Sequence, residues 1–258
     1  MKHRRLLYAT LGVGVLALAA GGGTFASFNA QTTNPGSTFA TGSLLLSNQV
    51  GAGTVCFSYN GVSNANPNCS SVVSVSNAEP GTSLVTANVF IGNTGTINAS
   101  TFDLQPPSST DCTDTQVTSL GSLNPTTGSP LCHAVVMYVQ EVGQGTVNAA
   151  GTYTPGTNNF NYCWFGDGSG SANCVTSPAT LNALAANTDT LASFDASSPI
   201  ELAPLTASGT KGTPAVNDLG AGGAREFTVG VYLPNTVAAQ NQLQALKSTF
   251  GITWQINQ

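Results

Sequence analysis

The chain is predicted to be all-β: a jelly-roll-like antiparallel β-sandwich with short connecting helices and disulfide-stapled loops. Three observations predict this. Phe227, Val229, Val231 and Leu233 alternate with Thr228, Gly230 and Tyr232, and Phe250, Ile252, Trp254 and Ile256 repeat the alternation, the period of a strand with one buried face. Clusters of Gly, Pro, Asn and Ser interrupt the chain at short intervals, which favours a sandwich or jelly roll over a βα fold. Six cysteines follow an N-terminus laid out as an export signal, and cysteines in exported chains form disulfides.

Taken in chain order, Lys2, Arg4 and Arg5 precede an apolar run from Leu6 to Ala20, then Gly21 to Gly23 and a small-residue site at Thr24-Phe25-Ala26. The run falls short of the roughly 20 residues that span a bilayer. A signal peptidase is therefore expected to cut between Ala26 and Ser27 and to leave no stable membrane span. The expected organisation is a signal peptide at 1–26, an N-terminal segment at 27–42 and one domain at 43–258.

Strands are expected at Ser43–Ser47, Thr54–Tyr59, Ser71–Ser76, Ser83–Gly92, Ala99–Gln105, Ala134–Glu141, Asn159–Phe165 and Ile200–Leu205, followed by the two alternating runs above. Leu181, Leu184, Ala185 and Leu191 predict a helix within Pro178–Phe194. Val237, Leu243 and Leu246 predict another over Thr236–Lys247. The stretch Ala207–Ala224, rich in Gly, Thr, Ala and Pro, reads as an exposed loop.

Three of the six basic residues lie before residue 27 and all eleven acidic residues after it. The processed chain keeps Lys211, Arg225 and Lys247 against eleven carboxylates, a net charge of −8. Nucleic acid and anionic membranes require basic patches, so both are excluded as expected partners. Six cysteines allow fifteen connectivities. The local pairing Cys56–Cys69, Cys112–Cys132 and Cys163–Cys174 is favoured because each pair brackets turn-rich residues, and loops of this size gain about 3 kcal/mol each in the chain-entropy treatment.

Chemistry-bearing patterns are sparse. A zinc site lacks its ligands: there is no CxxC, and His133 is the only histidine beyond the signal. His133 follows Cys132 and reads as a loop-edge residue beside a disulfide. Asp111 and Asp114 flank Cys112, and Asp167 sits in Gly166-Asp167-Gly168-Ser169-Gly170; calcium is one use for them, turn capping the commoner one. Tyr153, Tyr162, Trp164, Phe165 and Trp254 fit core packing, with an exposed glycan-binding platform as the alternative. No catalytic residue, cofactor or metal is expected.

The junction Gly21-Gly22-Gly23-Thr24-Phe25-Ala26-Ser27-Phe28-Asn29, followed by Thr38-Phe39-Ala40-Thr41-Gly42-Ser43-Leu44-Leu45-Leu46, resembles the start of the TasA/CalY (camelysin) family. Pro80-Gly81-Thr82, a strand over Leu84–Ile91 and Gly92-Asn93-Thr94-Gly95 resemble a second family segment, and the strands around Phe227–Leu233 and Phe250–Gln255 a third. These matches cover about a third of the chain; the cysteine-bearing middle has no counterpart in them. The resemblance implies a secreted jelly-roll subunit of biofilm-matrix or cell-surface fibres, its partner a second copy of itself, joined head to tail. It implies that the residues freed by processing, Ser27, Phe28, Asn29, Ala30, Gln31, Thr32 and Thr33, pair as a donor strand with the neighbouring subunit. Phe28, Ala30 and Thr32 share one face of that strand, and the segment is uncharged. A monomeric extracellular adhesin or glycan-binding sandwich is the alternative, and a protease, as camelysin has been described, a third.

Overall fold

The computed structural model describes residues 42–258 apart from 60, 62–65, 67–68, 75–78, 82–83, 108–111, 118–127, 158–160, 171–172, 184–188, 207–208, 213–218 and 236–242. The described part is antiparallel β structure with three short helices, α1 (Pro130–Ala134), α2 (Pro178–Ala183) and α3 (Leu191–Asp195). Its largest element is a seven-stranded sheet built from β1 (Leu46–Val50), β2 (Cys56–Phe57), β3 (Leu84–Asn93), β6 (Val136–Val147), β7 (Tyr153–Pro155), β8 (Tyr162–Phe165) and β10 (Gly223–Tyr232). The order is β2-β1-β3-β10-β6, and the long β6 carries β7 along its C-terminal half and β8 along its N-terminal half. A three-stranded sheet has the order β12-β4-β9, with β4 at Thr101–Gln105, β9 at Ile200–Glu201 and β12 at Thr253–Asn257. A two-stranded sheet pairs β5 (Thr113–Gln116) with β11 (Leu246–Thr249).

Alternation decides which side chains form the core. Val89 and Ile91 of β3, Phe227 and Val229 of β10 and Val139 of β6 are fully buried, as are Phe102 and Leu104 of β4. The seven- and three-stranded sheets meet through aromatic rings: Phe227 lies 4.6 Å from Trp254 and 6.1 Å from Phe102, centroid to centroid. One hydrophobic cluster includes residues of both sheets. A bulge at Val142, where the β6–β10 register slips between Glu226 and Phe227, keeps Glu141 opposite Phe227.

Local chemistry sets the turns. Between β6 and β7, Asn148 Oδ1 accepts the N–H groups of Ala150 and Thr152 at 3.0 Å each, and Gly151 takes φ +77°. Gly230, central in β10, sits opposite Tyr138, whose ring fills the space an added Cβ would need. That glycine supplies room rather than a turn.

Several expectations need correction. Ser71–Ser74 lie outside any strand, and Val75–Ser76 are outside the described residues. The expected strand Thr54–Tyr59 shrinks to Cys56–Phe57, and Ile200–Leu205 to Ile200–Glu201 plus a bridge between Leu205 and Lys211. The helix expected over Pro178–Phe194 is not continuous: residues 184–188 lie outside the described residues, Asp189 and Thr190 are not helical, and α3 is started by the Thr190 side chain accepting from Ser193 N at 3.2 Å. The helix expected to reach Lys247 fails at its end: Leu246 and Lys247 are in β11, after Ala245 turns the chain at φ +57°. Within the expected loop Ala207–Ala224, Leu219 is buried and bridges Ala99, and Gly223 begins β10. His133 lies not in a loop but in α1, where it is exposed.

Candidate functional site

Three disulfides close in the local pairing: Cys56–Cys69, Cys112–Cys132 and Cys163–Cys174. Such bonds belong to an oxidising compartment. No helix among the described residues is long and apolar enough to cross a membrane. The second and third bonds are buried, with Cys132 and Cys163 fully enclosed, whereas Cys56 and Cys69 are half-exposed. The cleavage residues Ala26 and Ser27 and the donor segment Ser27–Thr33 lie outside the described residues.

A groove of about 890 Å³ runs beside β12. β12 forms one wall: it is the last strand of its sheet, paired with β4 on one side only among the described residues, and all five of its residues line the groove. The facing wall comes from Leu46 and Asn48 of β1 and from Cys56, Cys69 and Ser70–Val73. No Asp, Glu, Lys or Arg lines it among the described residues. Two polar atoms on it, Trp254 Nε1 and Asn48 Oδ1, are enclosed with no hydrogen-bond partner among the described residues. An orphaned polar atom of this kind costs about 1–3 kcal/mol. An open strand edge beside such a groove can receive an uncharged extended segment.

A second site is buried between the layers. Glu141 and Arg225 are 0% and 2% exposed and form an ion pair in which Arg225 Nε donates to Glu141 Oε1 at 2.8 Å and Nη2 to Oε2. Trp164 Nε1 donates to Oε2 at 2.9 Å and Gln144 Nε2 to Oε1 at 3.2 Å, while Arg225 also reaches the Leu202 and Ala203 carbonyls. The guanidinium lies 5.3–5.7 Å from the ring centroids of Phe102, Trp164 and Phe227. By composition Arg225 is only one of the three cations beyond residue 26. Its spacing of two from Phe227, and that of Glu141 from Val139, was the available signal that both face inward.

On the outer face of the large sheet, Phe90 and Tyr153 stack with centroids 4.7 Å apart beside Glu226, which accepts from Asn88 Nδ2 at 3.2 Å. Burial, the charges of Glu226 and Glu141 and its hydrogen bond to Glu226 push the Tyr153 phenol up to about 12. The neutral phenol is therefore favoured by folding, and its stability contribution is present below pH 10 and lost as pH rises through about 12. Tyr153→Phe is expected to remove part of the alkaline fall in melting temperature over that window, read by calorimetry across pH. Burial raises the Glu226 carboxyl against the lowering bond from Tyr153, and burial with the Glu201 charge raises Asp103 against its bond from Thr101. These two favour folding when protonated, and their contributions fade as pH rises above the ordinary carboxylate range.

The remaining candidates are structural. Asp114 Oδ2 accepts Leu131 N at 2.6 Å, tying down the first turn of α1, whose Ser129 side chain makes no cap, and Oδ1 accepts Ser248 Oγ at 2.6 Å. Asp111 lies outside the described residues, and Asp167 stands in its glycine turn, where its backbone carbonyl accepts Val175 N at 2.7 Å. No group of three His, Cys, Asp or Glu residues is placed to hold a metal among the described residues. Tyr162, Trp164 and Phe165 are buried in the core cluster and form no exposed platform. The geometry defines an all-β, disulfide-stapled domain with a strand-lined groove. Comparison with protein-family models and with curated proteins finds no match to this chain.

Proposed function

We propose that this protein is a secreted structural subunit of extracellular-matrix or cell-surface fibres. On this reading a signal peptidase removes residues 1–26, and the freed Ser27–Thr33 segment adds as a strand to the next copy. The resemblance of the Gly21–Asn29 junction to the TasA/CalY family supports it, together with the all-β framework, for which a jelly roll is the proposed connectivity. The observation that carries it is the groove beside the open edge of β12, which no Asp, Glu, Lys or Arg lines among the described residues. Backbone pairing along β12 supplies affinity, and alternate side chains of the donor, Phe28 first, fill the groove. Strand addition also covers an edge that would otherwise invite uncontrolled pairing.

Electron microscopy of the processed protein tests this. Filaments are expected to form with increasing protein concentration and to vanish when Ser27–Thr33 are deleted. Filaments of unchanged geometry from the deleted protein overturn the reading. The second reading, a monomeric glycan-binding adhesin, is favoured by the half-exposed Phe90–Tyr153 stack beside Glu226 and Asn88. It expects monomers that bind cell-wall polysaccharide.

A further inference from the structure

Of the three disulfides, Cys56–Cys69 alone lines the groove, and it alone is half-exposed at both cysteines. The wall it fastens carries little regular structure among the described residues. β2 is two residues long and lies at the outer edge of the seven-stranded sheet, and no strand lies between Phe57 and Leu84 among the described residues. Within that span Ser70–Val73 line the groove, and Val72 and Val73 pack on the core from a segment with no ladder of its own. Asn66, inside the loop that the bond closes, donates to the Phe57 carbonyl at 3.0 Å. The bond thus ties the groove's wall to the edge of the sheet at one covalent point.

We infer that the Cys56–Cys69 disulfide is a redox latch on the groove: oxidised, it fixes the wall that faces β12, and reduced, it releases that wall and the groove no longer retains an incoming strand. This rests on the strand-donation reading. The switching step is thiol–disulfide exchange with an external dithiol. One thiolate of the dithiol attacks a sulfur of the pair, the S–S bond breaks, and the other cysteine leaves as thiolate. The second thiol then resolves the mixed disulfide. Two electrons and two protons pass to Cys56 and Cys69, and the dithiol becomes a cyclic disulfide. The two buried pairs give a dithiol no comparable approach, so the fold survives while the latch opens.

The test exposes unassembled, processed protein to graded dithiothreitol under native conditions, followed by alkylation, peptide mass spectrometry, circular dichroism and electron microscopy. Cys56 and Cys69 are expected to label at least about tenfold faster than the other four. Filament formation is expected to fall in step with that labelling at unchanged circular dichroism, and to return on reoxidation. The double variant Cys56→Ser/Cys69→Ser is expected to be a folded monomer that does not assemble; should it fail to fold, the titration of the native protein decides. Prior labelling of a buried pair, or full assembly with Cys56 and Cys69 alkylated, overturns the latch. Deletion of Ser27–Thr33 separates the two claims: if it abolishes filaments while the cysteine variant assembles normally, only the latch fails. If the deleted protein assembles as before, strand donation itself fails.

Discussion

Replacing Arg225 with methionine is expected to destabilise the domain by about 3–5 kcal/mol, because it leaves the Glu141 carboxylate buried without its counter-charge. Glu141 is 0% exposed, and after the substitution only the Trp164 and Gln144 donors remain on it. The Leu202 and Ala203 carbonyls lose their donor as well. In a chain of this size such a loss lowers the melting temperature by roughly 10 °C, and urea unfolding followed by circular dichroism measures it directly. The pair itself is a costly arrangement, since removing both charges together is often neutral or stabilising by about 1–4 kcal/mol. The double variant Glu141→Leu/Arg225→Met is accordingly expected to recover most of the loss. A single variant as stable as the parent would show that the ion pair holds nothing in place.

Phe227→Ala is expected to cost a similar amount, about 3–5 kcal/mol, through the cavity it leaves. The ring is fully buried, stacks at a tilt on Trp254 and meets Phe102 edge-on, so its removal takes contacts from both sheets at once. It also forms part of the aromatic surround of the Arg225 guanidinium. The two substitutions therefore share neighbours and are expected to combine non-additively. Calorimetry of the two single variants and the double variant measures both effects. A Phe227→Ala protein that melts with the parent would mean that the two layers do not depend on this contact.

Strands whose apolar residues recur at alternate or successive positions in the sequence were legible. β10 takes up most of the run Phe227–Leu233, β12 only the second half of the run Phe250–Ile256, and β3 the apolar run after Pro80-Gly81. The β5–β11 pair was not, because Thr-Asp-Thr-Gln and Leu-Lys-Ser-Thr carry no apolar alternation and their pairing spans over a hundred residues. The helix extended to Lys247 went wrong for a related reason: Leu243 and Leu246 fit a helical spacing, and only pairing with Thr115 and Gln116 shows the chain to be extended there. The Arg225–Glu141 pair sat in phase with buried neighbours, but charge argued for the surface. Nothing local could reveal the groove. Its walls come from residues near 48, 72 and 254, and an orphaned indole N–H exists only once the chain has folded around it.

The chain has two tryptophans, and folding assigns them to different compartments. Trp164 donates to the enclosed Glu141, while Trp254 stands on the groove with its N–H unclaimed among the described residues. The protein thus carries two intrinsic fluorophores in different surroundings. The emission of Trp164 is expected to follow the integrity of the interior; that of Trp254, which also packs on Phe227, is expected to shift in addition if a strand adds at the groove. Single-tryptophan versions of the chain allow assembly to be timed against unfolding in one cuvette, with no label attached.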